Sequence, residues 1–251
     1  MIKNVIMDFD GTIGDSQSLI VNTLQQTMRI LRLEVKSYGE CASTIGLRLD
    51  EAFGLLFNLS EQECALCADT YRAIFAENKH KDVIKAFPHV IETIRTLHEY
   101  GIQLAIASSR YRFSLLDYVA QMNIGACISS IVAGDDVKNV KPAPDMVFKA
   151  LREMNGNNIS IEDLASQSLV VGDMNFDIDM AHAAGVRACA VTYGNGTREK
   201  LANADYIIDD FSQLASIIMD ESMMTATSIY PDALFFLSTF SINPYHPASA
   251  P

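Results

Sequence analysis

The chain has no tryptophan, only 19 lysines and arginines against 31 aspartates and glutamates, and five cysteines. It has no run approaching the ~18 apolar residues of a membrane helix. Each shortage excludes something. A net charge of −12 repels a nucleic-acid backbone and argues against binding by a general basic surface, so no nucleic-acid partner is expected. Asp8 breaks the apolar N-terminus MIKNVIMDFDGT before it could serve as a signal peptide. With no long apolar run, no membrane association is expected either. Cys41, Cys64, Cys67, Cys127 and Cys189 are an odd number in a chain too large to need disulfide staples, so reduced thiols and a cytoplasmic location are expected. Cys64 and Cys67 form one Cys-x-x-Cys, but no second pair or neighbouring histidine completes a zinc site, and buried structural cysteines are the better reading. No internal repeat or heptad run is present.

What the chain does have is 49% apolar and 20% charged residues over 251 positions. That suffices for one large domain, or for a core with a smaller companion. Short β-branched runs recur at Val5 to Asp8, Gln103 to Ala107, Ser130 to Ala133, Leu169 to Gly172 and Arg187 to Thr192. Helical spacing fills Val90 to Tyr100, Phe113 to Met122, Pro144 to Met154 and Ile178 to Ala184. The alternation predicts an α/β fold with a doubly wound, Rossmann-like parallel sheet and ligands at the carboxyl ends of the strands. The first two strands are separated by roughly seventy residues, far more than one crossover needs. Helical patterns at Ser16 to Leu33, Asp50 to Phe57 and Ser60 to Asn78 therefore predict an inserted helical cap. The expected division is a core of residues 1–14 and 86–220, a cap of residues 15–85, and a C-terminal appendage of residues 221–251. Hinges are expected around Gly14 to Ser16 and Lys85 to Pro88.

The strongest chemical signal is Asp8-Phe9-Asp10-Gly11-Thr12 directly after an apolar strand, which aims two carboxylates into one crevice. By itself it is equally a metal site or a turn. Ser108, in LAIASSR, offers a hydroxyl and backbone N–H groups at the next strand end; a lone serine there would mean nothing. Lys141, in VKPAPD, follows a third strand, although a solvated surface lysine is the commoner fate. Asp173 and Asp177, in VVGDMNFDIDMAHAAG, follow a fourth, and their four-residue spacing predicts one face of a starting helix. N-capping accounts for one such aspartate more readily than for both.

These four motifs in this order resemble the haloacid dehalogenase superfamily over about residues 3 to 218, and the insertion point resembles that of its C1 caps. Thr44-Ile45-Gly46, Phe87-Pro88 and Tyr193-Gly194 look most like the phosphoglycolate-phosphatase-type enzymes. Met174 stands where that pattern usually has serine. The resemblance implies a phosphatase acting on a small phosphorylated metabolite, with Mg²⁺ held by Asp8, the backbone carbonyl of Asp10, and Asp173, and with Asp177 behind them. It implies Asp8 as nucleophile, Asp10 as acid and base, and Lys141, Ser108 and backbone N–H groups near Phe9, Gly11 and Ser109 on the phosphate, with Thr12 positioning Asp10. Arg48 is a candidate for a substrate carboxylate or second phosphate, with a plain cap-surface cation as the equal alternative. A β-phosphoglucomutase-type mutase, a pyrophosphatase or a nucleotidase shares the motifs. An inactive phosphate-binding module is expected to have lost Asp8 or Asp10, and a dehalogenase has no need of Asp10.

Overall fold

The computed structural model describes residues 1–78 and 83–220. Strand β1 (Asn4–Met7) leads to the two-residue strand β2 (Gly14–Asp15), after which the chain forms four helices: α1 (Gln17–Ile30), α2 (Tyr38–Ala42), α3 (Leu49–Phe57) and α4 (Glu61–Asn78). It returns through β3 (Lys85–Ala86). The chain then continues as α5 (Val90–Glu99), β4 (Gln103–Ser108), α6 (Arg112–Gln121), β5 (Ser130–Ala133), α7 (Asp145–Asn155), α8 (Ile161–Ser166), β6 (Ser168–Gly172), α9 (Asn175–Ala183), β7 (Arg187–Val191) and β8 (Tyr206–Ile208).

Six of these strands form one parallel sheet in the order β5-β4-β1-β6-β7-β8. All four residues of β1 are buried: Val5 and Met7 join the apolar cluster on one face, Ile6 the cluster on the other. Burial on both faces is why the strands read as unbroken apolar runs rather than alternating ones. Val5 pairs with Leu104 on one side and with Leu169 on the other, so β1 is central and the strand order reverses beside it. At such a switch point the connections diverge to opposite faces and leave a crevice past the strand's carboxyl end. Asp8 is the next residue.

The chain passes into and out of the helical insertion side by side. β2 and β3 pair antiparallel, Gly14 opposite Ala86 and Asp15 opposite Lys85, within the expected hinge segments. Helices α1 and α3 both pack on α4. Cys64 and Cys67 lie buried on α4 within the apolar cluster. Several short elements escaped the sequence pattern, among them α2, a single turn closed by a capping box between Ser37 and Glu40; α8, started by Ser160, whose hydroxyl accepts the Asp163 N–H; and β8, a three-residue edge strand. All are too short for periodicity to register. The expected appendage, residues 221–251, lies outside the described residues.

Candidate active site

Four strand ends supply the polar groups of the crevice. Asp8 follows β1, Ser108 closes β4, Lys141 stands in the loop after β5, and Asp173 follows β6. Contrary to the sequence expectation, Asp173 is not on a helical face: α9 begins at Asn175, leaving Asp173 in the preceding turn, and only Asp177 belongs to the helix. There Asp177 accepts the Met174 N–H at 3.0 Å, so it caps α9 while its other oxygen faces the site. Lys141 Nζ forms ion pairs with Asp8 Oδ1 and, at 2.7 Å, with Asp177 Oδ1. Oxygens of Asp8, Asp173 and Asp177 lie within 4.8 Å of one another. All four side chains are buried.

Asp173 is held from the other side. Asn195 donates to its Oδ2 twice, from the backbone at 2.6 Å and from Nδ2 at 2.8 Å, and Thr12 Oγ1 donates to its Oδ1 at 3.2 Å. Thr12 thus positions Asp173, not Asp10 as the sequence suggested. Gly11, at φ +92°, makes this approach possible: a Cβ there would stand 2.1 Å from Asp173 Oδ2. Its N–H goes to the Gly14 carbonyl at 3.0 Å, closing the turn.

Burial and crowding set the electrostatics. Removal from water holds the Asp8 carboxyl well above the ordinary carboxylate range; Lys141 opposes the rise, and Asp177, Asp173 and Asp10 add to it. Burial, with Asp177 beside it, pushes Asp173 up to about 7 despite the Asn195 hydrogen bonds. Burial alone would lower Lys141, but Asp177 and Asp8 hold it firmly protonated. Three carboxylates against one ammonium leave two negative charges unmatched when all are ionised. Buried charge of that kind is costly unless compensated. An all-oxygen donor set with that deficit suits a hard divalent cation.

Asp10 is held apart from this cluster. Its carboxylate accepts from Ser16 Oγ at 2.6 Å and from the guanidinium of Arg110 through both Nε, at 3.1 Å, and Nη2. The buried guanidinium lies over the rings of Phe75, Tyr118 and Phe9, at 5.0, 5.1 and 5.7 Å from their centroids. Neither Arg110 nor Asn195 was found from sequence. Arg110 follows Ser108-Ser109 with nothing to set it apart from a surface arginine, and Asn195 sits one residue past the Tyr193-Gly194 already noted.

Asp8, Asp10 and Ser108 form one end of a cavity of about 240 Å³ whose other walls come from the insertion and from Ser109, Arg110, Tyr111, Phe113 and Ser114 after β4. Ser108 is buried, its hydroxyl accepting the Arg110 N–H at 3.3 Å. Ser109 faces the insertion and donates to the Gly46 carbonyl at 2.5 Å. The Phe9 side chain points away from the crevice into the core, stacked on Tyr118. Arg48 lines the cavity, but its guanidinium is engaged by Asp50 at 3.1 and 2.9 Å.

The profile of the family described as haloacid dehalogenase-like hydrolases matches residues 5–191. The chain belongs to that family. Among its relatives, the "Probable phosphatase IndB" of Dickeya dadantii is 29% identical over 215 residues, covering 84% of this chain and 90% of that one. The pyrophosphatase PpaX of Oceanobacillus iheyensis is 27% identical over 221 residues, covering 87% and 98%. A solved structure of a haloacid dehalogenase-like family protein from Streptococcus pneumoniae superposes with a TM-score of 0.72 at 23% identity, covering 86% of this chain and 98% of that one. Asp8, Asp10, Ser108, Lys141, Asp173 and Asp177 all fall inside the span matched to the haloacid dehalogenase-like hydrolases, whereas Asn195 lies just beyond it.

Proposed function

We propose that the chain is a Mg²⁺-dependent phosphatase acting on a small-molecule phosphate monoester through an aspartyl-phosphate. The observation that carries this reading is the meeting of three buried carboxylates and Lys141 past the end of β1, with a separately anchored carboxylate, Asp10, two residues on. The likeness to enzymes named phosphatase and pyrophosphatase supports hydrolysis of a phosphoryl bond.

Asp8, Asp173 and the backbone carbonyl of Asp10 would hold Mg²⁺, with Asp177 behind them; bound there, the ion offsets the charge of the phosphate and polarises it. One Asp8 oxygen is taken by Lys141, which leaves the other to attack phosphorus in line with the leaving oxygen. As the new P–O bond forms, the ester P–O bond breaks and its electron pair stays with the leaving oxygen, which takes a proton from Asp10. Asp10, now a carboxylate, takes a proton from a water whose oxygen attacks phosphorus. The bond to Asp8 breaks, and inorganic phosphate and free Asp8 are returned. Lys141, Ser108 and the N–H groups near Phe9 and Ser109 hold the phosphoryl oxygens as charge redistributes. Arg110 and Ser16 aim Asp10.

In this reading residues 15–85 are a cap that shields the reaction from bulk water and selects the leaving group. Five unpaired cysteines, four of them buried, support a reducing, cytoplasmic setting.

Asp8→Asn tests the reading. Phosphate release should fall by about 10⁴-fold or more, and EDTA should stop the wild-type reaction until Mg²⁺ is restored. Near wild-type turnover by Asp8→Asn, after exclusion of deamidation, would end it.

A further inference from the structure

Beyond Asp8 and Asp10 the cavity is walled by Ile20, Leu24, Leu49, Tyr71 and Phe75, with Phe113 beside them. Three arginines also line it, and each already has an anionic partner. Arg48 is bound by both oxygens of Asp50. Arg72 donates to Asp69 at 2.6 Å and to the Tyr111 hydroxyl at 2.8 Å, with its guanidinium 4.2 Å from the centroid of the Tyr111 ring. Arg110 is committed to Asp10. A second anionic group on a substrate would have to share a guanidinium whose charge is already offset by an adjoining carboxylate, and that carboxylate repels it. An apolar group loses nothing there and gains burial.

We propose that, on the phosphatase reading above, the preferred substrate is a phosphate monoester whose leaving group is uncharged and presents an alkyl or aromatic face. Substrates bearing a second carboxylate or phosphate are disfavoured.

The test uses the full chain with Mg²⁺ and compares kcat/KM for primary esters of similar leaving-group basicity: ethyl phosphate, 2-phenylethyl phosphate and 2-phosphoglycolate. Pyrophosphate serves as the doubly charged control. The phenylethyl ester should exceed both ethyl phosphate and phosphoglycolate by about tenfold or more. Preference for phosphoglycolate or pyrophosphate, or no gain from ethyl to phenylethyl, overturns the proposal while leaving the phosphatase reading intact. Release from none of the four, nor from a wide panel of metabolite esters, removes both. A second arm addresses the cancelled charge directly. Asp50→Asn strips Arg48 of its partner at a site where both side chains are about a third exposed, so folding is not at stake. The ratio of kcat/KM for phosphoglycolate to that for ethyl phosphate should rise about fivefold or more; an unchanged ratio overturns the proposal.

Discussion

At the sheet end of the cavity the polar groups hold one another: Lys141 spans Asp8 and Asp177, Asn195 and Thr12 grip Asp173, and Arg110 with Ser16 fixes Asp10. At the insertion end the walls are apolar and the arginines are cancelled locally, Arg48 by Asp50 two residues away and Arg72 by Asp69 three residues away. The first end ties together distant parts of the chain, Lys141 to Asp8 across 133 positions, Thr12 to Asp173 across 161 and Arg110 to Asp10 across 100; the charge pairs of the second are closed within one helical turn. A reaction centre built from long-range contacts is fixed by the topology of the sheet. A selectivity surface built from local pairs and apolar side chains can change residue by residue without disturbing the fold.

Three substitutions can break or sharpen this contrast. The largest effect belongs to Lys141→Met, which leaves Asp8, Asp173 and Asp177 buried without their cation; it should cost about 3–5 kcal/mol of stability and reduce kcat to background. Thermal melts with and without Mg²⁺ check it: the ion should recover part of the loss, and an unaltered melt would show that the carboxylates do not depend on Lys141. Next comes Arg110→Gln, expected to lower kcat by about 10- to 100-fold with KM for ethyl phosphate little changed and with partial rescue by Arg110→Lys. A rise in KM alone would make Arg110 part of substrate binding instead. The smallest is Ser109→Ala, which removes the hydroxyl contact with Gly46 between the two ends. Losing one such bond, about 1 kcal/mol, should raise KM by roughly fivefold and leave kcat near wild type in steady-state assays.

The sequence was most readable where chemistry and topology coincide. Five strands announced themselves as apolar runs ending in acidic or small residues, and the unusual gap before the second of them exposed the insertion. Asp8, Asp10, Ser108, Lys141, Asp173 and Asp177 were each visible as residues at strand ends, and the fold brings them to one crevice. Local geometry was harder to read. The i, i+4 spacing placed Asp173 on a helix that starts two residues later, and Thr12 was assigned to the nearer carboxylate in sequence when Gly11 turns the chain toward the farther one. Arg110 was missed because its partner is 100 positions away, and an arginine carries no mark of such a pairing. Arg48 was visible as a cation, but its cancellation by Asp50 depends on side-chain geometry that composition does not contain.

The pairing of Gly14 with Ala86 and of Asp15 with Lys85 makes the two crossings into the insertion chain neighbours, a strand spacing of about 5 Å apart. A two-residue turn could close that gap. The insertion is therefore spliceable: a protein engineer could excise it at these four residues, or graft another helical unit onto them, without asking the six-stranded sheet to shift register.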